Sequence, residues 1–254
     1  MAARGSGDHA RTTARHGARS RRRAPARGSS GVQLGEDAAR ATILRGGAIV
    51  FAADGARAAS VARILQEAGV ARRTFYRLYA GKEDVMAALY HAGTEMLLDR
   101  CREAVRAEHD PLRRVERCID VHLGHARDLG RLVWVLGSEA QHHESPLRAR
   151  RLEVHAALAA LLEAADAAPG RARVDPMLPR ALVLALEGVT RIMLEESDEG
   201  RAVTAARLAR TRRVMLRIAT ATLAGTGAGV AALPTADATG RRPDRGAPDR
   251  PPLS

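Results

Sequence analysis

The spacing of apolar residues is the feature that most restricts how this chain can fold. Between residues 36 and 224 the apolar side chains recur at the intervals of a helix, and they almost nowhere alternate with a period of two. Alternation is what a half-buried strand requires. We therefore predict an all-α protein in which each helix buries one apolar face.

Proline and glycine residues divide this region into about nine helices. Gly69 and Val70 alone separate the second helix from the third, which is the tight connection of a helix-turn-helix. The first three helices are short and the fourth is long. In order, the nine are predicted over residues 37–53, 61–68, 71–78, 82–106, 112–129, 132–140, 146–167, 177–196 and 204–223.

The formal net charge of +12 is concentrated near the N-terminus. Residues 1–30 hold eight arginines and one aspartate with almost no large apolar side chain, and residues 225–254 are rich in proline and glycine. Segments of this composition cannot offset the entropy cost of ordering. We expect a disordered basic arm over 1–35 and a disordered tail over 225–254. The basic excess favours a polyanionic partner.

The third predicted helix combines an aromatic side with an arginine side. Its inward side carries Phe75, Leu78 and Tyr79. Its outward rows carry Arg72, Arg73, Tyr76 and Arg77. Arginine can pair bidentately with guanine in the major groove, and tyrosine can bind phosphate. A solvated arginine face is the alternative in so arginine-rich a chain, but the tight turn beside this helix favours DNA reading.

Four short motifs occur in order in this region, within a stretch of about 45 residues that has no gap. They are Phe51-Ala52 with Gly55, Ala68-Gly69-Val70, Thr74-Phe75-Tyr76 and Lys82-Glu83. Their order resembles the DNA-binding domain of the TetR family of transcriptional regulators. The resemblance implies a three-helix helix-turn-helix domain over 36–81, followed by a helical ligand-binding and dimerisation domain over 82–224.

The resemblance also implies which residues meet DNA. The expected set is Ser60, Arg72, Arg73, Thr74, Tyr76, Arg77 and Lys82. Within it, Tyr76 and Lys82 would contact phosphates, and the start of a helix at Lys82 favours an anion in any case. Ser60 is the expected cap of the second helix. Ala71 departs from the family, which usually has a serine or threonine cap there, so the operator sequence stays open.

The second half of the chain resembles the regulatory half of the same family more loosely. Residues 134–140 and 145–148 are similar to its sixth and seventh helices. The resemblance implies a homodimer formed through residues 177–223, which reads a palindromic operator because its two recognition helices reach successive major grooves. It further implies a repressor released by a small, mostly hydrophobic effector.

The effector pocket is expected among the helices between residues 96 and 194. A small-molecule site is mostly apolar with a few polar anchors. The candidates are His122, His125, Trp134, His143 and Glu187. Trp134 could equally be a packing residue, so both interpretations of it stay open.

Two other functions compete with this interpretation. A non-specific nucleic-acid protein would bind mainly through the arginine arm. A helical metal enzyme would use His122 and His125, one turn apart, with His142 and His143. We favour surface histidines, since the chain lacks Cys-x-x-Cys and His-Glu-x-x-His motifs. We therefore expect no metal, no cofactor and no enzymatic activity.

The sequence also bears on location and on its two cysteines. No apolar run is long enough to span a membrane, and no apolar stretch follows Arg21, Arg22 and Arg23 as an export signal requires. We expect a cytoplasmic protein without membrane contact. Cys101 and Cys118 are expected to be small core or surface residues rather than redox sensors.

Overall fold

The computed structural model describes residues 29–166, 175–195 and 202–224, and every regular element in these ranges is an α-helix. The prediction of an all-α protein with about nine helices is therefore confirmed for the part described. The predicted arm up to residue 28 and the tail from residue 225 lie outside it. The helices are α1 Ser29–Ala58, α2 Val61–Ala68, α3 Arg72–Leu78, α4 Lys82–Arg106, α5 Pro111–Leu129, α6 Arg131–Glu139, α7 Arg148–Asp166, α8 Met177–Glu195 and α9 Ala205–Ala224.

Helix α1 departs from its predicted boundaries at both ends. It begins at Ser29, so residues 29–35, which were expected to belong to the basic arm, are helical. Near its other end the helix breaks at Gly55, whose φ of 78° and ψ of 171° are not helical. Glycine adopts positive φ at little cost. The break therefore falls where the sequence predicted the helix to end, and one further turn follows it.

The first three helices and the start of α4 share one core. Phe51 of α1, Ile64 of α2 and Phe75 of α3 are fully buried in it, together with Val85 of α4. The same cluster continues into Leu136 of α6. The helix-turn-helix is therefore packed directly against the regulatory half.

A glycine pair inside α1 makes this packing possible. A Cβ atom at Gly46 would lie 2.9 Å from the backbone nitrogen of Ala68, and one at Gly47 would lie 2.6 Å from Cγ1 of Val85. Both distances are below any normal contact. Glycine costs about 1 kcal/mol relative to alanine inside a helix. Close approach of α2 and α4 to α1 is what the pair provides.

The regulatory half has its own core, formed by α5, α7, α8 and α9. Ile119, Leu123, Leu182, Met193 and Met215 are the largest fully buried side chains of this cluster. Helix α4 runs alongside α5 and α7 and so belongs to both halves. Among the described helices none is long and apolar enough to cross a membrane.

Candidate DNA-binding surface and internal cavity

Aromatic side chains fix the orientation of α3. Two side chains determine which side of α3 faces the core. They are Phe75, which is fully buried, and Tyr79, which is 8% exposed and lies just after the helix. Their ring centroids are 6.0 Å apart. Ala71 precedes the helix in an extended conformation and provides no side-chain cap, as its residue type predicts. Packing therefore holds this short helix in place.

The opposite side of α3 is open to solvent. Arg72, Arg73, Tyr76 and Arg77 are exposed there, and Thr74 is half-buried beside them. The guanidinium carbon of Arg72 lies 5.9 Å from the ring centroid of Tyr76. Nε of Arg77 lies 3.4 Å from Oε1 of Glu36 on α1. The side chains predicted to face the groove thus share one exposed surface, which we call the reading face and define as Arg72, Arg73, Thr74, Tyr76 and Arg77.

Ser60 and Lys82 lie at the first turns of α2 and α4. The Ser60 hydroxyl accepts a hydrogen bond from the backbone N–H of Arg63 at 3.3 Å, so it is the predicted cap of α2. Nζ of Lys82 donates to the backbone carbonyls of Ala56, Arg57 and Ala59, at 3.0, 2.9 and 2.8 Å.

These three bonds change the expected role of Lys82. An ammonium group has three donors, and all three are used by the chain that joins α1 to α2. The side chain therefore ties the start of α4 to the helix-turn-helix. A phosphate at this position would have to be bound by backbone N–H groups in the first turn of α4, because these groups have no acceptor within the helix.

A cavity of about 170 Å³ lies inside the regulatory half, between α4, α5, α6, α7 and α8. Apolar side chains, above all leucines, form most of its wall. Four of the five predicted pocket residues line it: His122, His125, Trp134 and Glu187. The fifth, His143, was placed wrongly, because it is exposed in the turn between α6 and α7, outside the cavity.

The charged groups of the cavity wall are paired with each other. Glu187 accepts two hydrogen bonds from Arg151, at 2.9 and 2.5 Å, and its carboxylate lies 3.5 Å from Nε2 of His155. Burial acts to raise the pKa of Glu187, but the hydrogen bonds from His155 and Arg151 outweigh it and lower this pKa to about 2. The carboxylate is therefore ionised and compensated.

The two predicted cavity histidines are inside the protein rather than on its surface. Burial, aided by nearby His125, lowers the pKa of His122 to about 4, and burial also lowers the pKa of His125. Nε2 of His122 lies 2.7 Å from the hydroxyl oxygen of Thr190. The preference for surface histidines is therefore wrong for this pair, and it is right for His142 and His143.

The comparison with known families agrees with the geometry of the helix-turn-helix. Residues 43–89 match the family of bacterial regulatory proteins described as the tetR family. This segment contains α2, α3 and the reading face. Residues 43–89 therefore match the DNA-binding segment of the TetR family. The search of curated proteins found no match to it.

Solved structures of TetR-like regulators share the fold across most of the chain. The fatty acid degradation regulator FadR from Bacillus halodurans is 20% identical, with a TM-score of 0.59 over 70% of this chain and 94% of that one. FadR from Bacillus subtilis, in complex with stearoyl-CoA, is 17% identical, with a TM-score of 0.60; the match covers 73% of this chain and 98% of that one. A tetR-family regulatory protein from Rhodococcus RHA1 is 18% identical, with a TM-score of 0.55; the match covers 71% of this chain and 96% of that one.

Several polar residues of the cavity were missed by sequence reasoning. Arg151, His155 and Thr190 all line or support it. Arg151 and His155 are four residues apart and therefore share a face of α7, which was the available signal. Nothing in the sequence says that this face meets Glu187 of α8.

Among the described residues no group of three histidine, cysteine or acidic side chains could hold a metal ion. Cys101 and Cys118 are buried free cysteines on α4 and α5, so of the two predicted positions, core and surface, they occupy the core. A hydrogen bond with Cys118, together with burial, raises the pKa of the Cys101 thiol.

Proposed function

We propose that this TetR-family transcriptional regulator binds a palindromic operator as a homodimer, acts as a repressor, and is released by a small, mostly apolar effector. Residues 36–81 would read DNA, and residues 82–224 would bind the effector and form the dimer. The observation that carries the proposal is the reading face, where arginine and tyrosine side chains are exposed on a helix that Phe75 anchors from behind.

The roles proposed on DNA follow from what each side chain can still donate. Arg73 and Arg77 are exposed one turn apart on α3, so they would reach base edges in the major groove. Tyr76, which is 48% exposed, would bind a phosphate. The Arg77 to Glu36 contact is exposed and worth little, so DNA can displace it. Ser60 and Lys82 would contribute backbone rather than side-chain contacts.

The dimer is proposed through α8 and α9. Met177, Leu184 and Ile192 of α8 are 73%, 52% and 55% exposed, and Val214 of α9 is 40% exposed. Large exposed apolar residues at helical spacing are typical of a surface that another chain covers. A two-fold axis here would set the two reading faces about 34–36 Å apart on the operator.

Helix α4 supports the proposal that the effector controls DNA binding. Its first residue, Lys82, is tied to the helix-turn-helix, and further along Tyr90, Gly93 and Leu97 line the cavity. One rigid helix therefore connects the two sites. Bacillus subtilis FadR, which shares this fold, was solved in complex with stearoyl-CoA, and this supports a small-molecule effector. A coupling of about 1–3 kcal/mol would weaken operator binding 5- to 150-fold.

Selection of bound sequences from a random DNA pool tests the proposal. We expect a palindrome from the wild-type chain. The double variant Arg73→Ala/Arg77→Ala should lose about 1–3 kcal/mol for each base contact while remaining a dimer. Arg117→Ala, an exposed arginine of α5, is the matched control and should keep operator selectivity. Unchanged selectivity in the double variant would remove the reading face from its proposed role.

A further inference from the structure

We infer that the cavity takes an uncharged, mostly apolar molecule that carries a hydrogen-bond donor, of the phenol or short-chain alcohol class. The inference deepens the proposed function and rests on it for the consequence of binding. It depends on three properties of the wall: its charges are compensated, His122 presents an acceptor, and the volume suits one ring.

The compensated charges argue against an anionic effector. Both carboxylate oxygens of Glu187 accept from Arg151, and His155 lies beside the same carboxylate. At the rim, Arg191 donates to Oε1 of Gln141 at 2.7 Å and lies 3.7 Å from Glu195. A ligand carboxylate would have to break the Arg151–Glu187 pair and leave Glu187 buried without its partner. Such a rearrangement is costly.

A hydrogen-bond chain fixes the tautomer of His122. The Thr190 hydroxyl donates to the backbone carbonyl of Leu186 at 2.9 Å, so its single proton is used. Towards His122 the same oxygen can only accept, and it does so at 2.7 Å from Nε2. Nε2 therefore carries the proton, and Nδ1 is left with a lone pair.

That lone pair is available at ordinary pH. The imidazole stays neutral because burial and nearby His125 and His155 disfavour its charge more than Glu187 favours it. Among the described residues none donates to Nδ1, and His122 lines the cavity. The lone pair is therefore left for a ligand O–H or N–H inside the cavity.

The volume narrows the class. An apolar cavity of about 150 Å³ holds benzene, so about 170 Å³ suits a single ring or a chain of similar size.

Three probes of similar size separate the possibilities. Phenol is neutral and donates, anisole is neutral without a donor, and benzoate is anionic. Binding to the full chain can be followed through the fluorescence of Trp134, the only tryptophan, which lies in the cavity wall. We expect phenol to bind about 3- to 10-fold more tightly than anisole, and benzoate to bind at least ~100-fold more weakly than phenol.

Variants test whether His122 is the cause of that order. Thr190→Val removes the acceptor for Nε2–H, so the tautomer is no longer fixed and the advantage of phenol over anisole should become smaller. Thr190→Ser keeps the hydroxyl and should preserve the advantage. His122→Phe should abolish it, whereas His143→Phe, outside the cavity, should not. Phenol and anisole binding equally in the wild type, benzoate binding as tightly as phenol, or no binding by any probe would each overturn the inference.

A measurement of DNA binding separates this inference from the proposed function. The operator complex is titrated with each probe that binds. Phenol-selective binding that leaves operator affinity unchanged would uphold the cavity chemistry and contradict effector release. Release of DNA by benzoate but not phenol would uphold the regulator and overturn the inferred effector class.

Discussion

The reading face and the cavity wall use arginine in opposite ways. On α3 the guanidinium groups are exposed, and Arg77 has only a solvent-accessible contact with Glu36 at 3.4 Å. At the cavity, Arg151 is 16% exposed and is held by both oxygens of Glu187. The first arrangement leaves donors for a partner, and the second consumes them. The role of an arginine in this chain therefore follows from the partners of its side chain and not from the abundance of arginine in the sequence.

The largest effect on stability should come from protonation of His122 in the cavity wall. The pKa of His122 is about 4 in the folded chain, below its ordinary value of 6.5. Between these pH values the unfolded state binds the proton and the folded state does not, so stability is lost as pH falls from about 6.5 to 4. We expect about 3 kcal/mol from this group, measured by urea unfolding at several pH values.

The exposed histidine supplies the control for this pH dependence. His122→Gln should flatten the loss, with a smaller remainder from His125, whose pKa burial also lowers. His143→Gln should leave the loss unchanged, because His143 is exposed. An identical pH profile in all three proteins would show that the cavity histidine does not control acid stability.

Removal of one partner from each arginine pair compares the two regions directly. Arg151→Met leaves Glu187 partly buried without its strongest donor, and we expect a loss of about 2 kcal/mol, less than for a fully buried pair because Glu187 is 25% exposed. Arg77→Met breaks an exposed pair and should cost under about 1 kcal/mol. Chemical unfolding of both variants measures the difference. Equal losses would contradict the distinction drawn between the two surfaces.

A smaller effect is expected from the glycines of α1. Gly47→Ala would bring a Cβ atom within 2.6 Å of Val85, so we expect about 1–2 kcal/mol of destabilisation from overpacking. Gly35→Ala lies in the same helix with nothing within 4 Å of the new atom and should instead stabilise slightly. Thermal unfolding of the two variants should therefore shift in opposite directions.

Sequence reasoning succeeded where the information is local. The bounds of α4 agree with the prediction, because Gly81 precedes the helix and the helical spacing of apolar residues continues to its end. It failed at the start of α1 and on the burial of His122. A polar residue in a helix shows its burial only through partners on other helices, such as Thr190 of α8. No spacing within α5 carries that information.

The role of Lys82 was beyond local reasoning for the same reason. Its acceptors lie in a different part of the chain, between α1 and α2. The sequence offered one hint, since Lys82 is the only lysine among 41 basic residues. Lysine presents three donors from one atom, which suits a point where three carbonyls converge.

This attachment has a mechanical consequence. With 25 residues, α4 is about 37 Å long. The ammonium group of Lys82, the first residue of α4, is hydrogen-bonded to the carbonyls before α2. We therefore expect α4 and the DNA-binding domain to move together as one rigid unit. If α4 tilts by about 5° about its C-terminal end, its N-terminal end moves by about 3 Å, which is roughly half the pitch of an α-helix. In the proposed dimer, a small rearrangement at the cavity would therefore be enough to bring the two DNA-binding domains out of register with the grooves.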